Sequence, residues 1–194
     1  IVALQLMVRP FHSIICAETA HIYVDECGSP VKNTGAQIRP VLTPDGKLTP
    51  ELIRPYLHGF GDQHHSQPGA IYLSQCTELG TVYTPVELKA LTSLAHEHGM
   101  YVHMDGARIA NACAYLKTSL KQITADCGID VLSFGGTKNG LMMGECVVIF
   151  NEELKASAAF VRKQSAQLAS KMRYLSCQFT AYLTDHLWLK NAEH

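Results

Sequence analysis

The 194-residue sequence has almost no net charge, no membrane-length apolar run and no paired-cysteine motif, and each absence removes a class of function. Sixteen Lys and Arg stand against 17 Asp and Glu, a net of −1. No basic footprint for a nucleic acid or an anionic membrane shows at that level, and neither partner is expected. The uncharged apolar stretches fall well short of the ~18 residues that span a bilayer. Glycine and proline, 14 and 8 residues, are dispersed, which excludes collagen-like, disordered and low-complexity chains. There is no internal repeat. The seven cysteines are an odd number and form no CxxC. Most sit among apolar neighbours, as in Ile14-Ile15-Cys16, and read as reduced, buried thiols of a cytoplasmic protein. No basic segment precedes the apolar opening run at 1–8, so it does not read as a signal peptide.

What is present is a chain with 47% hydrophobic and 17% charged residues, enough for one sizeable core. Short apolar runs at 13–16, 37–42, 70–74, 101–104, 130–134 and 145–150 read as strands. Pro40 places the second near an edge or a bend. Thr49-Pro50-Glu51 and Thr84-Pro85-Val86-Glu87 each supply a capping hydroxyl, a proline in the first turn and an acid, the start of a helix. The first helix runs to about Leu57. The second places Leu88, Leu91, Leu94 and Ala95 on one face and ends near Gly99. From Asn151 the period is helical, through Leu154, Ala158 and Val161 and on through Leu168, Met172, Leu175, Phe179 and Leu183.

Strands alternating with helices predict an α/β fold with a mostly parallel sheet and right-handed crossovers. Ligands of such sheets bind at the carboxyl ends of the strands. The residues there are 18–21, 75–78, 105–108 and 135–138, which bring together an imidazole, carboxylates, a guanidinium and an amine. Lys138 lies in Ser133-Phe134-Gly135-Gly136-Thr137-Lys138-Asn139-Gly140. A lysine held in a glycine-flanked loop can form a Schiff base with an aldehyde cofactor, or can simply be a solvated loop residue. Asp105, in His103-Met104-Asp105-Gly106-Ala107-Arg108, can pair with a pyridinium N–H and make that ring an electron sink. Arg108 can clamp a carboxylate. Alternatively, Asp105 and Arg108 pair with each other within the loop. The 33 residues from Asp105 to Lys138 fit one βαβ unit, which would make the two neighbours in the sheet. His96-x-His98 with His103-x-Asp105 is a weaker reading as a metal site, and no metal is expected.

Thr19-Ala20-His21-Ile22, Gly46-Lys47-Leu48-Thr49-Pro50-Glu51, the Asp-Gly-Ala-Arg segment and the Gly-Gly-Thr-Lys loop together resemble the low-specificity L-threonine aldolase group of the β-eliminating lyase family, pyridoxal-phosphate enzymes of fold type I. The resemblance runs the length of the chain. It implies the aspartate-aminotransferase-like α-β-α sandwich and pyridoxal 5'-phosphate as cofactor. Lys138 would be the cofactor-bonding lysine, with Thr137 beside it. Asp105 would partner the pyridine nitrogen, and His21 would stack on the ring. Arg108 would orient the cofactor's phenolic oxygen or the substrate carboxylate, and Arg173 would lie near substrate or phosphate. Some members carry a histidine near the β-hydroxyl where this sequence has Glu78, which would then be the base. The implied reaction cleaves L-threonine or a related β-hydroxy-α-amino acid to glycine and an aldehyde. The alternatives are β-elimination on an amino acid and a form without turnover. A homodimer or homotetramer with shared sites is implied as well. So are a phosphate-binding loop before Ile1 and a small domain after His194. Residues 1–194 would then be a partial large domain, with an α/β core at 1–150 and a helical region at 151–194. Weak cofactor binding and no useful turnover would be expected of these residues alone.

Overall fold

The computed structural model describes residues 1–194. Six strands form one sheet, β1 (His12–Ala17), β2 (Gln37–Val41), β3 (Gln67–Ser74), β4 (Tyr101–Gly106), β5 (Val131–Gly135) and β6 (Glu145–Ile149), in the order β2-β1-β3-β4-β5-β6. Every pair is parallel except β5 with β6. The expected α/β class and all six strands are therefore present. Pro40 sits on the edge strand β2, opposite Cys16, where its missing N–H leaves no inner ladder bond unmade. The central strands are continuous apolar runs because both their faces are covered. Ile14, Ile15, Ile71, Val102 and Met104 are fully buried.

Helix α1 (Val2–Met7) packs on β4 and β5 and buries Ala3, Leu4, Leu6 and Met7, so the opening apolar run is helical. Short helices α2 (His21–Val24), α3 (Ser29–Thr34) and α4 (Pro50–Ile53) follow. The helix expected from Thr49 breaks into a 3-10 turn at Arg54–Tyr56, because Pro55 offers no N–H to continue it. Helix α5 (Pro85–Glu97) starts on a complete capping box, with Thr84 and Glu87 each bonding the other's backbone N–H, and it buries the four residues expected of its inner face. Helix α6 (Ile109–Leu116) was not legible. Its sequence is apolar and alanine-rich apart from Asn111, and one polar residue is too little to mark a period.

The helical pattern after Asn151 needs correction. It is not one helix but three, α7 (Glu152–Gln164), α8 (Arg173–Leu183) and α9 (Leu187–Ala192). Leu168 and Met172 lie in the break at 165–172, although they keep the hydrophobic period. The Ser165 hydroxyl bonds back to the Val161 carbonyl at 2.8 Å and to Gln5 Oε1 at 2.5 Å, and Ala166 turns left-handed at φ +59°. A serine that satisfies the last turn from its side chain ends a helix there. These three helices give only Leu154, Tyr182 and Trp188 to the core.

All seven cysteines are free. Cys16, Cys76, Cys113 and Cys127 are buried, and burial pushes the thiols of Cys16 and Cys113 up to about 12. Cys27 and Cys177 are exposed, against the expectation for most of the set. No helix is long and apolar enough to cross a membrane.

Candidate active site

The four loops singled out at the strand ends meet at the carboxyl edge of the sheet. Three of them, 18–21, 105–108 and 135–138, line with α1 a cleft of about 300 Å³, at His21, Asp105, Arg108, Thr137 and Lys138 among others, while the 75–78 loop lies outside its wall. β4 and β5 are adjacent, so the Asp105 and Lys138 loops are neighbours, as their spacing implied. A wider, open depression of about 650 Å³ on α8 and α9 holds none of the expected groups.

Asp105 does not pair with Arg108. Its Oδ1 accepts the Ala107 N–H at 2.9 Å and its Oδ2 accepts the Tyr72 hydroxyl at 2.6 Å. Arg108 is the N-cap of α6: its backbone carbonyl accepts the Asn111 and Ala112 N–H groups and the Cys76 thiol at 3.8 Å, and its side chain makes no hydrogen bond to the helix. Its guanidinium is thus left to line the cleft. Lys138 sits in a single 3-10 turn (Thr137–Asn139), with Gly140 at φ +103° closing it. Asn139 pins that turn, donating to the Tyr182 hydroxyl at 2.5 Å and the Trp188 carbonyl at 2.7 Å. The Thr137 hydroxyl donates to Glu145 Oε1 at 3.3 Å, and partial burial in the cleft wall pushes the Glu145 carboxyl up.

Gly135 keeps the two loops together. A Cβ there would stand 2.8 Å from Ala107 Cα and 2.9 Å from Glu145 Oε2. Gly135→Ala is expected to lower stability by about 1–3 kcal/mol, the range of overpacked cores, and to weaken cofactor binding, as denaturant melts and a cofactor titration would show.

His21 opens α2, and its ring nitrogens face Asp25 at 3.3 Å and Glu26 at 3.1 Å. Glu78 stands behind it rather than in the cleft wall. Its Oε1 accepts the His21 N–H at 2.9 Å and the Ser74 hydroxyl at 2.8 Å, while its Oε2 is buried without a partner. Arg173 is not brought to the cleft. It begins α8, is exposed, and lies over its neighbour Tyr174 at 4.9 Å.

Sequence reasoning missed Tyr72 and Ser133 as part of this site, and gave His103, on Asp105's face of β4 by the period of two, only to the metal reading. Register adds Tyr72 and Ser133 from the flanking strands. His103 Nε2 lies 2.9 Å from Ser133 Oγ, and its ring is stacked at a tilt on Tyr72, with centroids 5.1 Å apart. Its Nδ1 is buried without a partner. Burial pushes the imidazole down to about 4, only partly opposed by Asp105, so it is neutral near pH 7. The unfolded chain takes up that proton near 6.5. The contribution of His103 to stability is therefore present above pH 6.5 and lost as pH falls toward 4. Denaturant melts of His103→Gln should show a flatter pH profile than the unaltered protein between those values. The other histidines of the metal reading are engaged elsewhere, His96 with Asp130 at 3.0 Å and His98 with the Leu94 carbonyl at 2.9 Å.

The donor set fits a flat aromatic aldehyde with a ring nitrogen. An amine and a carboxylate lie on adjacent strand ends, and a guanidinium and an imidazole flank them. The buried His103 Nδ1 adds an unsatisfied polar atom to the cleft wall.

A family model described as beta-eliminating lyase matches residues 1–186. Low specificity L-threonine aldolases of Pseudomonas aeruginosa and of a further Pseudomonas strain are 45% and 44% identical over 193 residues, covering 99% of this chain and 56% of each relative. The structure of the Leishmania major threonine aldolase superposes with a TM-score of 0.92 at 34% identity, over 100% of this chain and 56% of that one. The chain thus spans just over half the length of these relatives. A putative L-allo-threonine aldolase from Listeria monocytogenes, 19% identical with a TM-score of 0.76, shares the fold.

Proposed function

This chain belongs to the beta-eliminating lyase family, and from that premise we propose that the protein is a pyridoxal-phosphate-dependent lyase. It cleaves the Cα–Cβ bond of L-threonine or a related β-hydroxy-α-amino acid to glycine and an aldehyde. The observation that carries this reading is the cleft itself, where Lys138 and Asp105 face one space from adjacent strands with Arg108 unpaired beside them. The names of the Pseudomonas and Leishmania relatives supply the substrate class.

Bound pyridoxal phosphate supplies an electron sink for the pair released when the Cα–Cβ bond breaks. Lys138 presents its amine from a turn pinned through Asn139, placed to hold the cofactor's aldehyde carbon and to carry a proton at Cα. Asp105, held by Ala107 and Tyr72, would partner the ring nitrogen of the bound cofactor, where its charge would favour a proton on that nitrogen. Thr137 would hold the cofactor beside the lysine, and His21, steadied by Asp25 and Glu26, would stack on its ring. Arg108 orients the substrate carboxylate by a bidentate contact. Arg173 has no part in this arrangement. Glu78, expected from the sequence to be the base for the β-hydroxyl, stands behind His21 with its Oε2 buried and off the cleft wall, so it steadies the His21 backbone and is not given the β-hydroxyl proton.

A homodimer or homotetramer with shared sites belongs to the same proposal. It is supported by the exposure of Met142 and Met143, 93% and 59%, a few residues from Lys138. The cytoplasm fits the free thiols. The test is product analysis of the whole protein with L-threonine, L-allo-threonine and phenylserine. Glycine and aldehyde in equal amounts, dependent on pyridoxal phosphate, are expected. Ammonia and a 2-oxo acid in their place would replace the aldolase reading by β-elimination.

A further inference from the structure

The Asp105 carboxylate is paired with no cation of the protein, although Lys138 and Arg108 share its cleft. Its Oδ1 accepts the Ala107 N–H at 2.9 Å, and its Oδ2 accepts the Tyr72 hydroxyl at 2.6 Å. Tyr72 is therefore the one side chain hydrogen-bonded to it. His21, Glu26, His103 and Glu145 line the same cleft without bonding to Asp105, and α1 brings no charged side chain. Sheet register explains the contact. Tyr72 stands on β3 opposite His103, and Asp105 lies two residues farther along β4, opposite Ser74. A phenol on the cleft face is long enough to make that diagonal step. Its ring is 5% exposed and is stacked on His103, with centroids 5.1 Å apart, and His103 is itself fixed by Ser133 at 2.9 Å. Burial and Asp105 hold the phenol well above its ordinary range, so it stays a hydrogen-bond donor at any pH where the protein works.

We propose that Tyr72 is a positioning residue for the reaction, and that its hydrogen bond to Asp105 Oδ2 sets how strongly this carboxylate acts on the cofactor's ring nitrogen. The bond does two things. With Ala107 on the other oxygen, it stops the carboxylate plane from turning. It also draws off part of the carboxylate's charge, as any donor to an ionised acceptor does. A cation in the place of Tyr72 would neutralise Asp105 and release its hold on the ring proton. An apolar side chain there would leave the whole charge beside the ring. The neutral phenol gives a setting between the two. His103, neutral and bonded to Ser133, keeps the phenol in place without adding a charge of its own. Loss of the Tyr72 hydroxyl leaves more negative charge beside the cofactor, which then keeps its titrating proton to higher pH.

The inference rests on the reading that Asp105 partners the cofactor's ring nitrogen. The test is the pH midpoint of the visible absorbance of the whole protein loaded with pyridoxal phosphate, measured for the unaltered protein, Tyr72→Phe, Asp105→Asn and the pair. Tyr72→Phe should raise the midpoint by about half a pH unit or more, a share of the roughly one to two units that a hydrogen bond is worth at the charged group itself. In the Asp105→Asn background the same substitution should shift it by about half as much or less. A general loosening of the cleft would move both backgrounds alike, and that result would overturn the inference. So would a Tyr72→Phe protein with an unshifted midpoint. Where Tyr72→Phe fails to fold, replacement of Tyr72 by 3-fluorotyrosine, a stronger donor of nearly the same shape, reads the same bond in the opposite direction. A lower midpoint is then expected, and an unchanged or higher one would overturn the inference. A protein that gains no visible absorbance with the cofactor would instead defeat the functional reading, and this inference with it.

Discussion

Lys138→Ala is expected to abolish the visible-edge absorbance that the whole protein acquires with pyridoxal phosphate. It should also lower turnover at least about 10²-fold, the lower end of what a positioned proton-transferring group contributes. The reason is geometric. Lys138 lines the cleft from a turn whose next residue, Asn139, is tied to Tyr182 and Trp188. Lys47, another lysine close to the strand-end loops, is committed to Glu87 at 2.6 Å. No second amine is therefore placed to stand in. The substitution lies in an exposed 3-10 turn, so the fold should persist and cofactor should still bind without the covalent contribution. Absorbance spectra and steady-state turnover of the variant would check both parts. An unchanged spectrum would remove Lys138 from the site.

Asp105→Asn is expected to separate turnover from binding. Asparagine keeps the size of the side chain and an oxygen for the Ala107 N–H, which lies 2.9 Å from Oδ1 in the native protein. It loses the negative charge that holds a proton on the ring nitrogen. Removing a preorganised electrostatic partner of the transition state costs about 10²–10³ in turnover. Cofactor affinity should change far less, because Lys138, His21 and Thr137 remain. Parallel measurement of kcat and of cofactor Kd would decide, and near-normal kcat would show that Asp105 only shapes the loop. The structure already speaks against one structural explanation, since Asp105 makes no ion pair with Arg108 and is bonded instead to Ala107 and Tyr72.

The parts of this molecule that depend on chain-local chemistry were legible in its sequence. The strands were, because parallel strands covered on both faces are continuous apolar runs. The start of α5 was, because Thr84 and Glu87 form a capping box. The adjacency of Asp105 and Lys138 was, because one crossover separates β4 from β5. What depends on register or on distant partners was not. Tyr72 and Ser133 join Asp105 only once β3, β4 and β5 are aligned. Asn139 reads as a loop residue until Tyr182 and Trp188, more than 40 positions on, come to meet it. The break at 165–172 is hidden because Leu168 and Met172 keep the helical period while Ser165 ends the helix from its side chain. Arg173, which the resemblance placed near substrate or phosphate, starts a helix away from the cleft.

The central claim is that the amine at the end of β5 holds the cofactor. Its most direct test is reduction of the cofactor-loaded protein with borohydride, followed by peptide mapping. The account predicts the added mass on Lys138 alone. Mass on Lys47, Lys163 or any other lysine, with Lys138 unmodified, would contradict it.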